Sequence, residues 1–512
     1  MLFLLEQSWV SLFPSSFYAA LLIAGISSLV ILLLQRLNCK HKAVSARSTE
    51  KHLPNESKLG RSFQEVPGVS PTSDEKGNLE DIAAAGSLHQ FLKQLHREHG
   101  DIAKFWWMKQ PAVSIASPKL FRDTSRLPDR PSNLFMLFEP LFGERSMTYA
   151  NGEDFAARKS SYRDKPFSHA GLPKLYATFV DVAQETIDSW QTAADDSRSL
   201  VLQDEMMNIG LKSIVRSSLG FDLRDSERIE SFREAYEICW TEMESRLDGS
   251  FPDRDSQREK AFTQSLAYLR QTARSILNQR RAERNVGRGG RVNSMSFIDY
   301  LVEAEVPEQQ ALDEVITFLV GGFHTTAYML TWAFYFLLKQ PHCLKKLTSE
   351  LDEVLGDRVV PTLEDINKLT YLNQCVSETL RCSVLAPWAA RFSNREIVVG
   401  GYRVPAKTPI IQALGVSLHD SKLWSNPKEF HPERFAPTRL KNQPVLSFVP
   451  FGFAGKRICP GQRYAKVEGL VILSALLKRF SIALDNPELK VKAVHGLVTC
   501  PDRKILMNVR ER

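Results

Sequence analysis

The chain predicts a mainly α-helical protein with a small β-rich subdomain, preceded by one N-terminal transmembrane helix. Three observations predict it. Most of residues 172–355 carry apolar side chains at helical spacing. Two pairs of short alternating runs read as hairpins: 102–106 with 113–116, and 396–400 with 402–404, the second joined at Gly400-Gly401. Residues 17–34 form an uncharged stretch of about 27 Å as a helix, just long enough to cross a bilayer.

The elements follow in order. Glu6 is the only charged side chain before residue 17, whereas Arg36, Lys40, Lys42 and Arg47 follow residue 34. The positive-inside rule places the N-terminus outside or in the lumen and the rest in the cytosol, so the sequon at Asn55 stays unused. A cleaved signal peptide is the alternative, but the apolar stretch is long and shows no clear small-residue cleavage site. Residues 1–35 are then an anchor, 36–65 a polar linker and 66–512 a third, globular part. Within it, 87–98 reads as a helix stopped by Gly100.

At 512 residues and 43% hydrophobic, the chain can build a large core. A net charge of +7 is too mild to argue for nucleic acid. The cysteines number seven, with no CxxC pair, which suits a reducing compartment and argues against a disulfide framework or a zinc site. The arginine-rich run 270–291 reads as a solvated helix end and loop, with a docking surface for an acidic partner or lipid heads as the alternative.

Residues 307–339 predict a helix of about 50 Å, opened by Pro307 and stopped before Pro341. Gly321-Gly-Phe-His-Thr-Thr326 interrupts it. Two interior glycines cost roughly 1 kcal/mol each, so the helix must distort there or carry something flat against it. Because His324 is the only ionisable group in 315–338, a second membrane span is the alternative reading. Glu378 and Arg381 share a helix face, and Arg434 in Pro432-Glu-Arg-Phe435 is their expected third partner. Cys459 stands in Pro450-Phe-Gly-Phe-Ala-Gly-Lys-Arg-Ile-Cys-Pro-Gly461, ahead of the apolar-patterned segment 462–480. A helix N-terminus favours a thiolate, and Gly455 and Gly461 permit close approach of a flat cofactor.

These motifs, in this order, resemble the cytochrome P-450 superfamily over almost everything after Val66. The resemblance implies the cytochrome P-450 fold and haem b (iron protoporphyrin IX), with Cys459 as axial iron ligand. It implies that Gly322 lies against the cofactor, that Thr325 is the alcohol beside bound O2, and that His324 replaces the usual acid of the proton relay. Glu378, Arg381 and Arg434 become the buried triad on the proximal side. Arg457, Arg391 and Lys159 become the cations for the haem carboxylates, Lys159 lying in Phe155-Ala-Ala-Arg-Lys159 where the family has Trp-x-x-x-Arg. The chain departs from the pattern at His324, at Phe155, and in the cysteine loop. There Gly452 stands seven residues before Cys459, and Phe451 eight.

A narrower likeness, in Val66-Pro-Gly-Val-Ser-Pro-Thr72, Gly77-Asn-Leu-Glu-Asp-Ile82 and Gly86-Ser-Leu-His-Gln-Phe-Leu92, is to the animal orphan family twenty. The expected activity is insertion of one atom of O2 into a lipophilic substrate (steroid, fatty acid or xenobiotic-like). Electrons come from NADPH through NADPH-cytochrome P-450 reductase, with cytochrome b5 as a further partner, since the chain has no G-x-G-x-x-G fingerprint. The expected location is the endoplasmic reticulum membrane, single-pass, with the catalytic domain in the cytosol. A non-catalytic haem sensor or carrier, and a reductase-independent peroxide isomerase, are the alternatives. Substrate recognition is expected from 123–149, 221–254 and the hairpin near Val498, where Phe135, Phe138, Phe142, Phe221, Phe232 and Tyr236 form an apolar set.

Overall fold

The computed structural model describes residues 60–512, apart from 169–170, 221–225, 248–249, 286–295 and 454. The anchor at 17–34, its basic flank, the sequon and most of the linker lie outside the described residues, as do Phe221 and the run 287–290.

Helix α1 (Leu88–His99) starts where the Ser87 side chain accepts the Gln90 N–H, and it ends at Gly100, whose φ of +88° suits glycine. The first hairpin, β1 (Ile102–Trp107) and β2 (Gln110–Ile115), follows. Then come α2 (Gly152–Arg158), α3 (Leu172–Asp195), β3 (Leu200–Val201), α4 (Leu202–Leu219), α5 (Ser226–Leu247), α6 (Gln257–Asn285) and α7 (Glu308–Leu338). After α8 (Pro341–Leu355) and α9 (Thr370–Ser383), four short strands form: β4 (Ala389–Arg391), β5 (Ile397–Val399), β6 (Tyr402–Val404) and β7 (Ile410–Gln412). The chain closes with α10 (Gln462–Arg479), β8 (Phe480–Leu484), β9 (Ala493–His495), β10 (Thr499–Pro501) and β11 (Leu506–Glu511).

The main sheet has the order β1-β2-β7-β4; β7 runs parallel to β2, and β4 sets Arg391 at the sheet edge. β5 and β6 form the second expected hairpin, turning on Gly400 and Gly401 at φ +59° and +83°. β11 pairs with β3 on one side and β8 on the other. Residues 61–65, expected in the linker, instead pack on this small subdomain. The Arg61 N–H donates to Gly401, its guanidinium lies 3.9 Å over the Tyr402 ring, and Phe63–Glu65 make a turn capped by Ser62.

Helices α3, α4, α7 and α10 pack side by side, with α7 at the centre. α4 and α7 approach closely: a Cβ on Gly322 would sit 2.3 Å from Ile214 Cδ1, and one on Gly210 would sit 3.2 Å from the Phe323 carbonyl. Half of the glycine pair in α7 is thus explained by packing. Among the described residues no helix is long and apolar enough to cross a membrane. The arginines of α6 each meet a carboxylate, and Arg274 and Arg284 do so at the solvent-exposed surface. Arg270 pairs with Asp313, Arg274 with Glu308, Arg280 with Asp299, and Arg284 with Glu305.

Candidate active site

The cysteine loop is pinned at both ends. The Cys459 N–H donates to the Phe451 carbonyl at 3.0 Å, and Gly461 caps α10. Gly452 and Gly455 both take positive φ (+76° and +41°), which is how the loop turns between Phe451, eight residues before Cys459, and the cysteine. Phe453 leaves the loop altogether and stacks on Phe121 at 4.7 Å. Cys459 is a free thiol with accessible surface. Surrounding protein raises its pKa, while the Gly461 N–H and then Arg163 and Arg130 pull it down.

Four arginines gather beside it. Arg457 is 4% exposed and donates to the carbonyls of Pro128, Ala150 and Met147 and to Asn151 Oδ1. Arg163, equally buried, donates to the carbonyls of Lys456 and Ile458 and so ties the segment after α2 to the cysteine loop. Among the described residues Arg391 donates to the carbonyl of its neighbour Ala390, and its Nε finds no partner. Burial, reinforced by mutual repulsion, lowers Arg457 to about 8, Arg391 to about 9 and Arg130 to about 10. Asp129, the carboxylate that acts on Arg457, is already engaged by the Gly152 N–H and the Asn394 amide. Buried cations without a matching anion are unfavourable. Arg163 has Asp164 Oδ1 at 3.6 Å from its Nε; for the other three, a thiolate at Cys459 and a group carrying two carboxylates would balance the charge. The residues fit haem b.

Lys159 is not in this group. The helix widens into a π turn at Lys159–Arg163; Lys159 pairs with Asp164, and Arg163 returns to the Phe155 ring at 5.2 Å. Gly322 is also corrected. Its missing side chain makes room for Ile214, and the glycine that meets open space is Gly321. Gly321 shares a face of α7 with Thr317, Phe318, Thr325 and Tyr328, which keep accessible surface on a helix otherwise largely buried. Thr325 Oγ1 donates to the Gly321 carbonyl at 2.6 Å. His324, one position on, is 1% exposed and turns toward α5, where its Nε2 lies 3.1 Å from Glu237 Oε1.

Glu378, Arg381 and Arg434 come together as expected. Glu378 accepts from Arg381 Nε at 2.7 Å and Nη2 at 2.8 Å, and from Arg434 Nε at 3.1 Å. Burial works against the Arg381 charge, but the bonds to Glu378 outweigh it and hold the guanidinium above its usual range. Of the proposed recognition aromatics, Phe138, Phe232 and Tyr236 are buried, and Phe135 and Phe142 are partly so.

Several residues escaped sequence reasoning. Arg130 sits between two prolines in Pro128-Asp-Arg-Pro131, a spacing that was a usable signal. Arg163 and Glu237 carry no local signal. Glu468 is wholly buried in α10, facing the hydroxyls of Ser213 and Thr326, and burial pushes its carboxyl up to about 8.

The helical bundle, the small sheets and a cysteine loop ringed by arginines define a haem-thiolate oxygenase. The chain belongs to the cytochrome P450 family: the family model described as Cytochrome P450 matches residues 67–509. Mouse cytochrome P450 20A1 is 32% identical over 453 residues, covering 87% of this chain and 93% of that protein. Human cytochrome P450 20A1 is 28% identical over 449 residues, with the same coverage. The crystal structure of the cytochrome P450DA heme domain superposes with a TM-score of 0.75 at 21% identity, covering 87% of this chain and 98% of that one. The protein is therefore an oxygen-incorporating oxidoreductase of the haem-thiolate monooxygenase class, using haem b, O2 and electrons from a reductase. Its likeness to the P450 20A1 proteins bears out the narrower resemblance.

Proposed function

We propose that this chain is a membrane-anchored monooxygenase that converts a lipophilic RH, O2, NADPH and a proton to ROH, water and NADP+. Electrons reach it through NADPH-cytochrome P450 reductase, with cytochrome b5 as a second donor. Residues 66–512 form the catalytic domain, in the cytosol, tethered to the endoplasmic reticulum by the apolar stretch at 17–34.

The observation that carries the reading is the free thiol of Cys459 beside buried, unneutralised arginines. Cys459 would hold the haem iron; Arg457, Arg391, Arg130 and Arg163 would hold its two carboxylates, and Lys159 is left out. Haem bound there would supply O2 activation. Gly321 leaves room on α7. Thr325, whose hydroxyl now rests on the Gly321 carbonyl, holds and passes a proton at Oγ1. His324 is its proton source from behind the helix, in place of the usual acid. Glu378, Arg381 and Arg434 fix the segment that carries the cysteine loop.

The test is the carbon monoxide difference spectrum of the reduced, membrane-expressed protein beside Cys459→Ala. A far red-shifted Soret band, absent from the variant, supports thiolate ligation. A band typical of histidine-ligated haem would overturn it.

A further inference from the structure

His324 is enclosed by aromatic rings. Trp240 and Tyr236 of α5 stand 4.2 and 5.3 Å away, and Phe323 and Tyr328 of α7 stand 4.6 and 5.8 Å away, centroid to centroid. Such an enclosure solvates an imidazolium poorly and places no preference on which ring nitrogen keeps the proton of the neutral form. One polar group resolves both. Glu237 Oε1 lies 3.1 Å from Nε2, while Nδ1 is buried with no hydrogen-bond partner among the described residues. Glu237 itself is 38% exposed, so its carboxylate keeps contact with water while touching a ring that does not.

We propose that Glu237 is a positioning residue for oxygen chemistry. Its carboxylate accepts the Nε2–H of His324, fixes that tautomer and holds the ring in one orientation. The motif on α7 lacks a carboxylate in sequence, and α5 supplies one in space, 87 residues earlier. Without that carboxylate the enclosing rings would set neither the tautomer nor the orientation of the imidazole.

This inference rests on the reading that Thr325 and His324 manage protons, and the experiment separates the two. The holoprotein is labelled with 15N-histidine and observed in its diamagnetic reduced carbon monoxide form, with His324→Asn assigning the resonance. In parallel, the share of consumed NADPH appearing as hydrogen peroxide is measured with reductase present. The wild-type ring is expected to show a protonated Nε2 in its neutral form. Glu237→Ala should lose that tautomer and raise the peroxide share severalfold, with Glu237→Asp restoring both in part. Equal carbon monoxide spectra across the variants verify that each is folded and loaded. Unchanged tautomer or unchanged peroxide share in Glu237→Ala overturns the proposal. Thr325→Ala is the control: if it raises the peroxide share and Glu237→Ala does not, only the role of Glu237 falls. If Thr325→Ala also changes nothing, the proton-handling reading falls with it.

Discussion

The guanidinium carbon of Arg457 lies 3.3 Å from the centroid of the Phe155 ring, and both side chains are buried. Where the family pattern has tryptophan, this chain therefore uses a phenylalanine as a face for a cation rather than as a hydrogen-bond donor. The contact partly compensates a charge that burial and three other arginines oppose.

Phe155→Leu keeps apolar volume and removes the ring face. We expect it to weaken the protein by about 1–2 kcal/mol, the value of a desolvated cation–π contact. The deficit should be smaller once haem is loaded, because the cofactor carboxylates then offset the same charge. Thermal melts of haem-loaded and haem-depleted samples check this, and an equal deficit in both would contradict it.

The two glycines of α7 should respond oppositely. Gly322→Ala drives a methyl into Ile214 and should cost about 1–3 kcal/mol through overpacking, relieved by Ile214→Val in the same chain. Gly321→Ala meets open space. It should gain up to about 1 kcal/mol in helix propensity while perturbing the Soret band, since the methyl points where the cofactor is expected. A stability cost for Gly321→Ala comparable to that for Gly322→Ala would sink the assignment.

Glu378 offers a sharper loss. Its carboxylate answers two guanidiniums at full burial and also accepts the His431 N–H at 2.9 Å. Glu378→Gln keeps the shape and leaves two buried cations without an anion, for which about 3–5 kcal/mol is the usual scale. The expected outcome is recovery of little or no haem-loaded protein, read as haem content per polypeptide. Normal haem content would show that the backbone carbonyls around Arg381 and Arg434 suffice.

What could be foreseen follows from how locally each feature is encoded. The helix 307–339, both hairpins and the helix stop at Gly100 are written in spacing and in glycine or proline punctuation, so they appear where expected. Glu378 and Arg381 are one helical turn apart, and Arg434 is marked by its own short motif. By contrast, Lys159 and Arg163 are both cations after one short helix. Only the π turn, which has no sequence mark, decides which one reaches Phe155. Gly321 and Gly322 differ by about 100° around a helix, and the neighbour that fixes the rotation is Ile214, more than a hundred residues earlier. Glu237 meets His324 only through the docking of α5 on α7.

Three imidazoles should make the fold sensitive to acid. His89 and His495 meet edge to face at 4.5 Å, and His419 lies near enough to repel both. They join α1 and the β9–β10 hairpin to the turn after β7. The other groups facing them are Lys93 and Arg381, both cations, the Thr499 hydroxyl on His495 and the Cys382 carbonyl on His419. Burial, then like charge, lowers His89 to about 3 and His419 and His495 to about 4. The folded state thus binds these protons less readily than the unfolded chain. Between about pH 6.5 and 4 the unfolded state holds more protons, and stability falls with pH by up to about 1.4 kcal/mol per unit for each imidazole. Glu468 and Glu314 work in the opposite sense: burial raises their carboxyls to about 8 and about 7, which costs stability as pH rises from the usual carboxylate range toward those values. These acids offset part of the effect of the three imidazoles, so the melting temperature should drop below pH 6 with a slope shallower than three protons. His89→Gln should flatten that slope by about one proton. A wild-type slope that His89→Gln leaves unchanged would mean that the imidazoles are reached by water as the hairpin opens, before the fold as a whole gives way.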